Sequence, residues 1–211
     1  MLGFEAVSPF AGVLAAIIGY LAGSIPFGLL LTKAAGLGDV RSIGSGNIGA
    51  TNVLRTGNKK LAALTLACDL LKATVPVLFL QWQWGQTAAL IAGVAAFIGH
   101  LFPIWLKFKG GKGVATYIGI LLGLAWPLAI LFVVIWLGVA LMFRRSSLAA
   151  LAATATTPLS AWLTGNANLV GPLGVLAAAI WFMHRANIAR LLRGEEPPIA
   201  FGKRAGDAHP G

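Results

Sequence analysis

The chain has 211 residues, 58% of them hydrophobic and only 10% charged, with a formal net charge of +10. Soluble domains carry about a quarter charged residues, so an ordinary soluble fold is excluded and residues 1–211 read as a single membrane domain. The cations are dispersed between apolar stretches and no nucleic-acid module is present, which makes lipid headgroups and anionic substrates the predicted partners, and not nucleic acid.

Residues 6–32, 73–106, 113–143 and 146–183 contain no Asp, Glu, Lys or Arg. A helix crossing the ~30 Å hydrocarbon layer takes roughly 17–25 residues, which predicts helices over 11–32, 61–80 and 87–106. No Lys or Arg precedes the first, so it reads as a retained membrane helix and not a secretory leader. The second carries Asp69 and Lys72 at i, i+3, a spacing suited to a structural ion pair. Cys68 stands alone beside them, so no disulfide framework or thiolate metal site is expected. His100, before Leu101-Phe-Pro103, reads as a helix-end packing residue, and His209 as idle.

The stretch 113–143 is long for one crossing and short for two, with Trp126-Pro127 near its middle. Charge decides the matter. If 113–143 is a hairpin, the loops 33–60, 107–113 and 144–147, the segment 184–196 and the basic tail 197–211 all fall on one side, and the turns 81–86, 126–127 and 164–171 on the other hold no cation. The positive-inside rule favours that arrangement. The expectation is an all-α, polytopic helix bundle of seven crossings, N-terminus outside and C-terminus cytoplasmic, with 114–125 short and tilted or sunken.

Chemistry-bearing residues sit in the cationic loops. Gly44-Ser-Gly-Asn-Ile-Gly49 formally fits a dinucleotide fingerprint, but no strand precedes it and no βαβ unit surrounds it. Closely spaced glycines still let backbone N–H groups approach an anion. Ser45, Gly46, Asn47, Gly49, Thr51 and Asn52 therefore read as an anion cradle, with Arg55 as a guanidinium fork for phosphate. Lys109, Gly110, Gly111 and Lys112 form a second glycine–lysine turn that lacks P-loop spacing and reads as a phosphate clamp. His184 and Asn187 share a helix face at i, i+3, and Arg190 roughly rejoins it, a set suited to a negatively charged acceptor or to general-base work. No His-x-x-x-x-Asp, no acidic two-metal cluster and no Gly-x-Ser-x-Gly elbow is present. A transporter of a phosphorylated solute would also use cationic loops, but no internal repeat is visible.

Six segments together carry a resemblance: Gly23-Ser-Ile-Pro-Phe-Gly28, Gly44 to Arg55, Asp69-Leu-Leu-Lys72, Gly99-His-Leu-Phe-Pro103, Phe108 to Thr116 and His184 to Glu196. In this order they resemble the bacterial acyl-phosphate-dependent glycerol-3-phosphate acyltransferase family. The resemblance implies a multi-pass protein of the bacterial plasma membrane with a cytoplasmic active site. It implies transfer of a fatty acyl group from acyl phosphate to the 1-hydroxyl of glycerol 3-phosphate, giving lysophosphatidic acid in the first committed step of phospholipid synthesis. Neither acyl-CoA nor acyl carrier protein would be used, and no cofactor or metal. Catalytic roles fall to His184, Asn187, Ser147 and Lys112, with Ser147 taking the serine of an Arg-x-x-Ser-Leu motif that here reads Arg144-Arg-Ser-Ser-Leu148. The phosphate-binding set is the two glycine loops with Arg55 and Arg190. Either His184 or the departing phosphate would take the hydroxyl proton.

Overall fold

The computed structural model describes residues 5–199, and among them every regular element is helical. The basic tail and His209 lie outside the described residues apart from the stretch up to Ile199.

The first predicted helix is in fact two, α1 (Pro9–Gly23) and α2 (Phe27–Ala34). Ser8 caps α1 by accepting the Ala11 N–H at 3.2 Å, and Pro9 fills the first turn, where a missing N–H costs nothing. Pro26 explains the break, since it has no N–H to donate and pushes Ile25 away from helical backbone. The short α3 (Ala50–Val53) lies in the first motif loop.

Asn58 caps α4 (Lys59–Leu101), whose continuous assignment hides a reversal. Trp84 and Gly85 leave helical backbone, Gly85 at φ 79°, and the Val77 side chain packs against Gly93. Residues so far apart cannot touch in a straight helix rising 1.5 Å per residue, so the limbs 59–83 and 86–101 run back on each other. The second limb stops at Leu101, short of the predicted 106, because Pro103 ends it. In α5 (Val114–Phe143) the same happens at Ala125, just before Trp126-Pro127, and Tyr117 meets Phe132 with ring centroids 5.8 Å apart. α6 (Ser146–Leu163), α7 (Val170–Met183) and α8 (Arg185–Leu192) follow, the helical run 167–183 and α8 being bent by 62° about His184.

α1 packs along α4, α4 on α5, α5 on α6 and α6 on α7. The α1–α4 seam is built of small residues: a methyl group at Gly19 or Gly23 would run into the backbone of Ala92 or Ala96. Such seams suit a bilayer, where close van der Waals approach replaces the hydrophobic drive between helices. The centre holds Phe97, Tyr117, Ile120, Leu121, Leu128, Phe132 and Leu173. The outside is apolar as well, with Phe10, Val13, Val75, Val134, Leu141 and Val175 all exposed, the pattern of a lipid-facing bundle. By length and composition, Pro9–Ala34, Lys59–Leu106 and Val114–Phe143 are apolar enough to cross a membrane, and the bent pair about His184 adds a fourth such stretch.

Candidate active site

The cationic loops converge on a cavity of about 480 Å³. Its polar lining includes Ser45, Asn47, Arg55, Lys112, His184 and Asn187. Leu66, Ile118, Val133, Trp136, Leu137 and Ala150 from α4, α5 and α6 supply an apolar wall.

The first loop is held by Asn52, which is buried. Its Nδ2 donates to the carbonyls of Val40 (2.8 Å), Ile43 (3.1 Å) and Asn47 (2.8 Å), and its Oδ1 accepts the Ser45 N–H at 3.1 Å. That corrects the sequence expectation: Asn52 lines the cavity, yet its amide is spent on shaping the loop and offers no free N–H to an anion. Gly44 follows from the same packing, because it turns at φ 55° and a methyl there would strike Asn52 and Arg55. Asn47 Oδ1 accepts the Gly49 N–H at 3.2 Å, a local turn that presents Gly49, Ala50 and Thr51 to the cavity. Gly46, at φ 68°, turns the loop without lining the cavity.

The second loop divides. Gly110 and Gly111 N–H groups donate to the carbonyls of Leu101 and His100, each at 3.0 Å, pinning the turn to the end of α4. Lys112 then enters the cavity and donates to Asn187 Oδ1 at 2.5 Å. Lys109 does not join it. The chain takes left-handed backbone at Lys107 and Phe108, and Lys109 lines a separate groove with Lys33, Arg41, Lys107 and Trp105. The two-lysine clamp expected from the sequence is therefore one lysine on bare backbone, and Gly110 and Gly111 serve as its hinge and do not line the cavity.

The third set hangs on a residue absent from the expected site, Glu196. Its Oε1 accepts from Ser147 Oγ at 2.7 Å and Asn187 Nδ2 at 2.6 Å, and its Oε2 from Arg190 Nε at 2.7 Å. Burial would raise the Glu196 pKa, but the hydrogen bonds from Ser147, Asn187 and Arg190 outweigh it and hold the carboxyl below its ordinary range. His184 is buried at the bend, and its Nδ1–H donates to the Ile180 carbonyl at 2.8 Å. In the neutral ring that leaves Nε2 as a lone pair. Ser147, assigned to the acceptor by sequence, gives its proton to Glu196 and keeps its oxygen lone pairs.

Among the described residues neither Lys112 nor Arg55 has a carboxylate within ion-pairing distance, so two cations face the cavity unneutralised. Burial pushes the Lys112 ammonium down to about 8, with Glu196 opposing and Arg190 and Arg55 adding to the shift. Two unneutralised cations and an apolar wall thus line the same cavity. A family model described as "Glycerol-3-phosphate acyltransferase" matches residues 13–194.

The chain belongs to the glycerol-3-phosphate acyltransferase family.

Relatives of that description from Rhizobium meliloti (strain 1021) and Methylorubrum populi are each 59% identical, over 87% and 89% of this chain and 90% and 92% of their own lengths. Two crystal structures of PlsY (YgiH), an integral membrane glycerol 3-phosphate acyltransferase, superpose on this fold. Its glycerol 3-phosphate form gives a TM-score of 0.85 at 38% identity, covering 90% of this chain and 96% of that one. Its lysophosphatidic acid form gives 0.83 at 37%, covering 89% and 94%. The protein is thus an integral membrane acyltransferase of phospholipid biosynthesis.

The position of Lys112 in the cavity sets an expected pH dependence. The catalytic efficiency kcat/KM is expected to fall as pH rises through about 8, where the ammonium loses its proton, because kcat/KM titrates with the free enzyme. Lys112→Arg, with a guanidinium that stays charged, should lose that descent. The same descent in the Arg variant would detach it from Lys112.

Proposed function

We propose that the enzyme transfers a fatty acyl group from acyl phosphate to the 1-hydroxyl of glycerol 3-phosphate, releasing lysophosphatidic acid and phosphate without acyl-CoA or acyl carrier protein. The observation that carries this reading is one cavity lined both by unneutralised Arg55 and Lys112 and by apolar side chains of α4, α5 and α6. One substrate has a fatty tail and both have phosphates, and such a cavity accommodates the pair. The glycerol 3-phosphate and lysophosphatidic acid forms of PlsY are consistent with it.

The chain crosses the bacterial inner membrane seven times, N-terminus outside, with the site at the cytoplasmic face. Exposed Trp82, Trp126 and Trp162 lie beside the turns at 84–85, 125 and 164–165. They suit an aromatic belt at the cation-free interface, and the cationic loops suit the cytoplasmic one.

In the reaction the 1-hydroxyl oxygen attacks the acyl carbonyl carbon, an ester C–O bond forms, the anhydride C–O bond breaks and phosphate departs with the hydroxyl proton. An acyl phosphate is already activated, so the protein's work is alignment and charge stabilisation. Ser45, Asn47, the Gly49–Thr51 turn and Arg55 cradle one phosphate, and Lys112 grips phosphate from the second loop. Arg190, Asn187 and Ser147, set by Glu196, orient glycerol 3-phosphate, and His184 Nε2 accepts from the attacking hydroxyl.

General-base catalysis is worth about 10²–10⁴-fold. With phosphate as the base, His184→Gln is expected to keep kcat within about tenfold of wild type, and a larger drop at saturating substrate would make His184 the base. The overall reading is tested with purified protein in detergent, acyl phosphate and glycerol 3-phosphate. Stoichiometric phosphate and lysophosphatidate are expected. Counterflow of glycerol 3-phosphate in vesicles without either product would indicate a transporter instead.

A further inference from the structure

Deep beside the cavity lies a cluster that acyl transfer leaves unused. Lys72 Nζ donates to Asp69 Oδ1 at 2.7 Å, to His100 Nδ1 at 2.8 Å and to the Ile25 carbonyl at 3.0 Å. An ammonium has three N–H groups, and all are used. The three residues are 2%, 4% and 6% exposed for Asp69, His100 and Lys72. The Ile25 carbonyl is available because Pro26 breaks the helix there. One cation thus ties together the α1–α2 break and both limbs of α4.

The ammonium can only donate, so His100 Nδ1 accepts and the ring proton sits on Nε2. That edge of the ring is turned to Gly111: a methyl group there would overlap Nε2, Cε1 and Cδ2 of His100. The same turn is bonded to the His100 and Leu101 carbonyls. Asp69 and His100 also line the cavity that Lys112 enters.

We propose that His100, locked by the Asp69–Lys72 pair, is a positioning residue that braces Gly111 and so fixes the Lys112 ammonium at the phosphate end of the cavity. The proposal rests on the acyl-transfer reading for what Lys112 holds, but its mechanical content does not. A pair buried this deeply adds little net stability against an apolar replacement, because desolvating both charges offsets their attraction. What it does supply is one geometry, since moving any member strands a buried charge.

The test separates bracing from plain ion-pair satisfaction. In His100→Asn, the Asn Oδ1 takes the place of Nδ1 and still accepts from Lys72, while the ring edge against Gly111 is gone. A misplacement of about 1 Å can cost up to about 100-fold, so kcat/KM is expected to fall by about 10–100-fold with thermal midpoint and elution unchanged. The KM increase should fall on the same substrate as that of Lys112→Ala. Gly111→Ala should be similarly impaired, and the double variant should recover part of the loss, because the smaller Asn makes room for the methyl. Wild-type kinetics, additive losses or an effect on the other substrate would overturn the proposal. Amide hydrogen exchange over 108–113 gives a readout independent of turnover. It should quicken in His100→Asn or, should that variant fail to fold, in Gly111→Ala, and wild-type protection would sink the bracing role even if the acyl-transfer assay failed for other reasons.

Discussion

Lys112→Ala is expected to lower kcat/KM about 10²–10³-fold, the range lost when one preorganised donor to a developing charge is removed, while leaving insertion and folding intact. The two parts have separate physical origins. Lys112 is a partly desolvated cation whose one polar partner is a neutral amide, Asn187 Oδ1, and among the described residues it has no carboxylate to abandon. Truncation therefore strands no charge, and the relieved desolvation of the ammonium offsets the donor lost to Asn187 Oδ1, so the thermal midpoint should change little. Activity has no such compensation. Arg55 comes from the first motif loop and lines the same cavity, and a phosphate held by both would lose one of its two unneutralised cations. Lys112→Arg should retain more activity than Lys112→Ala but less than wild type, because a planar fork does not match a point charge held against bare glycine backbone. Steady-state kinetics with each substrate varied in turn will also identify which phosphate Lys112 holds, from the KM that moves. Full activity in the Ala variant would remove the phosphate grip from Lys112 altogether.

The cationic loops and the helices between them were legible because charge and length constrain a bilayer protein so strongly. The reversals at Gly85 and Ala125 were visible as a Trp-Gly turn and a Trp-Pro step. The break at Pro26 was legible in principle, yet an uncharged stretch of membrane length overrode it in the reading of 11–32 as one helix. Side-chain direction was harder. Lys109 and Lys112 look equivalent in sequence, and only the left-handed backbone at 107 and 108 sends them to different grooves. Asn52 looked like a donor to substrate because its type fits, but three backbone carbonyls claim its amide. Glu196 closes the segment His184 to Glu196 that carries the resemblance, where Gly194-Glu195-Glu196 meets a Gly-x-Glu pattern, but it was given no role in the site. Gly194 turns at φ 73°, which sends Glu195 out to Arg193 and Glu196 in to Arg190.

Glu196→Ala should be the most damaging single change, lowering stability by about 2–4 kcal/mol and abolishing most activity. One carboxylate collects three donors from two helices: Ser147 at the start of α6, and Asn187 and Arg190 on α8. Removing it leaves the buried Ser147 and Asn187 groups unsatisfied, at about 1–3 kcal/mol for each such group, and frees a half-buried guanidinium. The activity loss follows from geometry. Asn187 Nδ2 is held by Glu196 while its Oδ1 receives Lys112, so freeing the amide also releases the ammonium. Glu196→Gln distinguishes charge from shape. Its carbonyl can still accept from Ser147 and Asn187, but its NH₂ faces the Arg190 donor, so an intermediate midpoint is expected. Acid should act as a milder version of the Ala variant. The folded-state carboxyl is held below its unfolded value, so its contribution is complete above the unfolded pKa and is lost as pH falls through the folded one. Thermal unfolding in detergent from pH 7 downward should therefore show a descent in the acid limb of wild type that is smaller in Glu196→Gln. Superimposable wild-type and Gln curves, or an Ala variant melting with wild type, would remove Glu196 from the centre of the site.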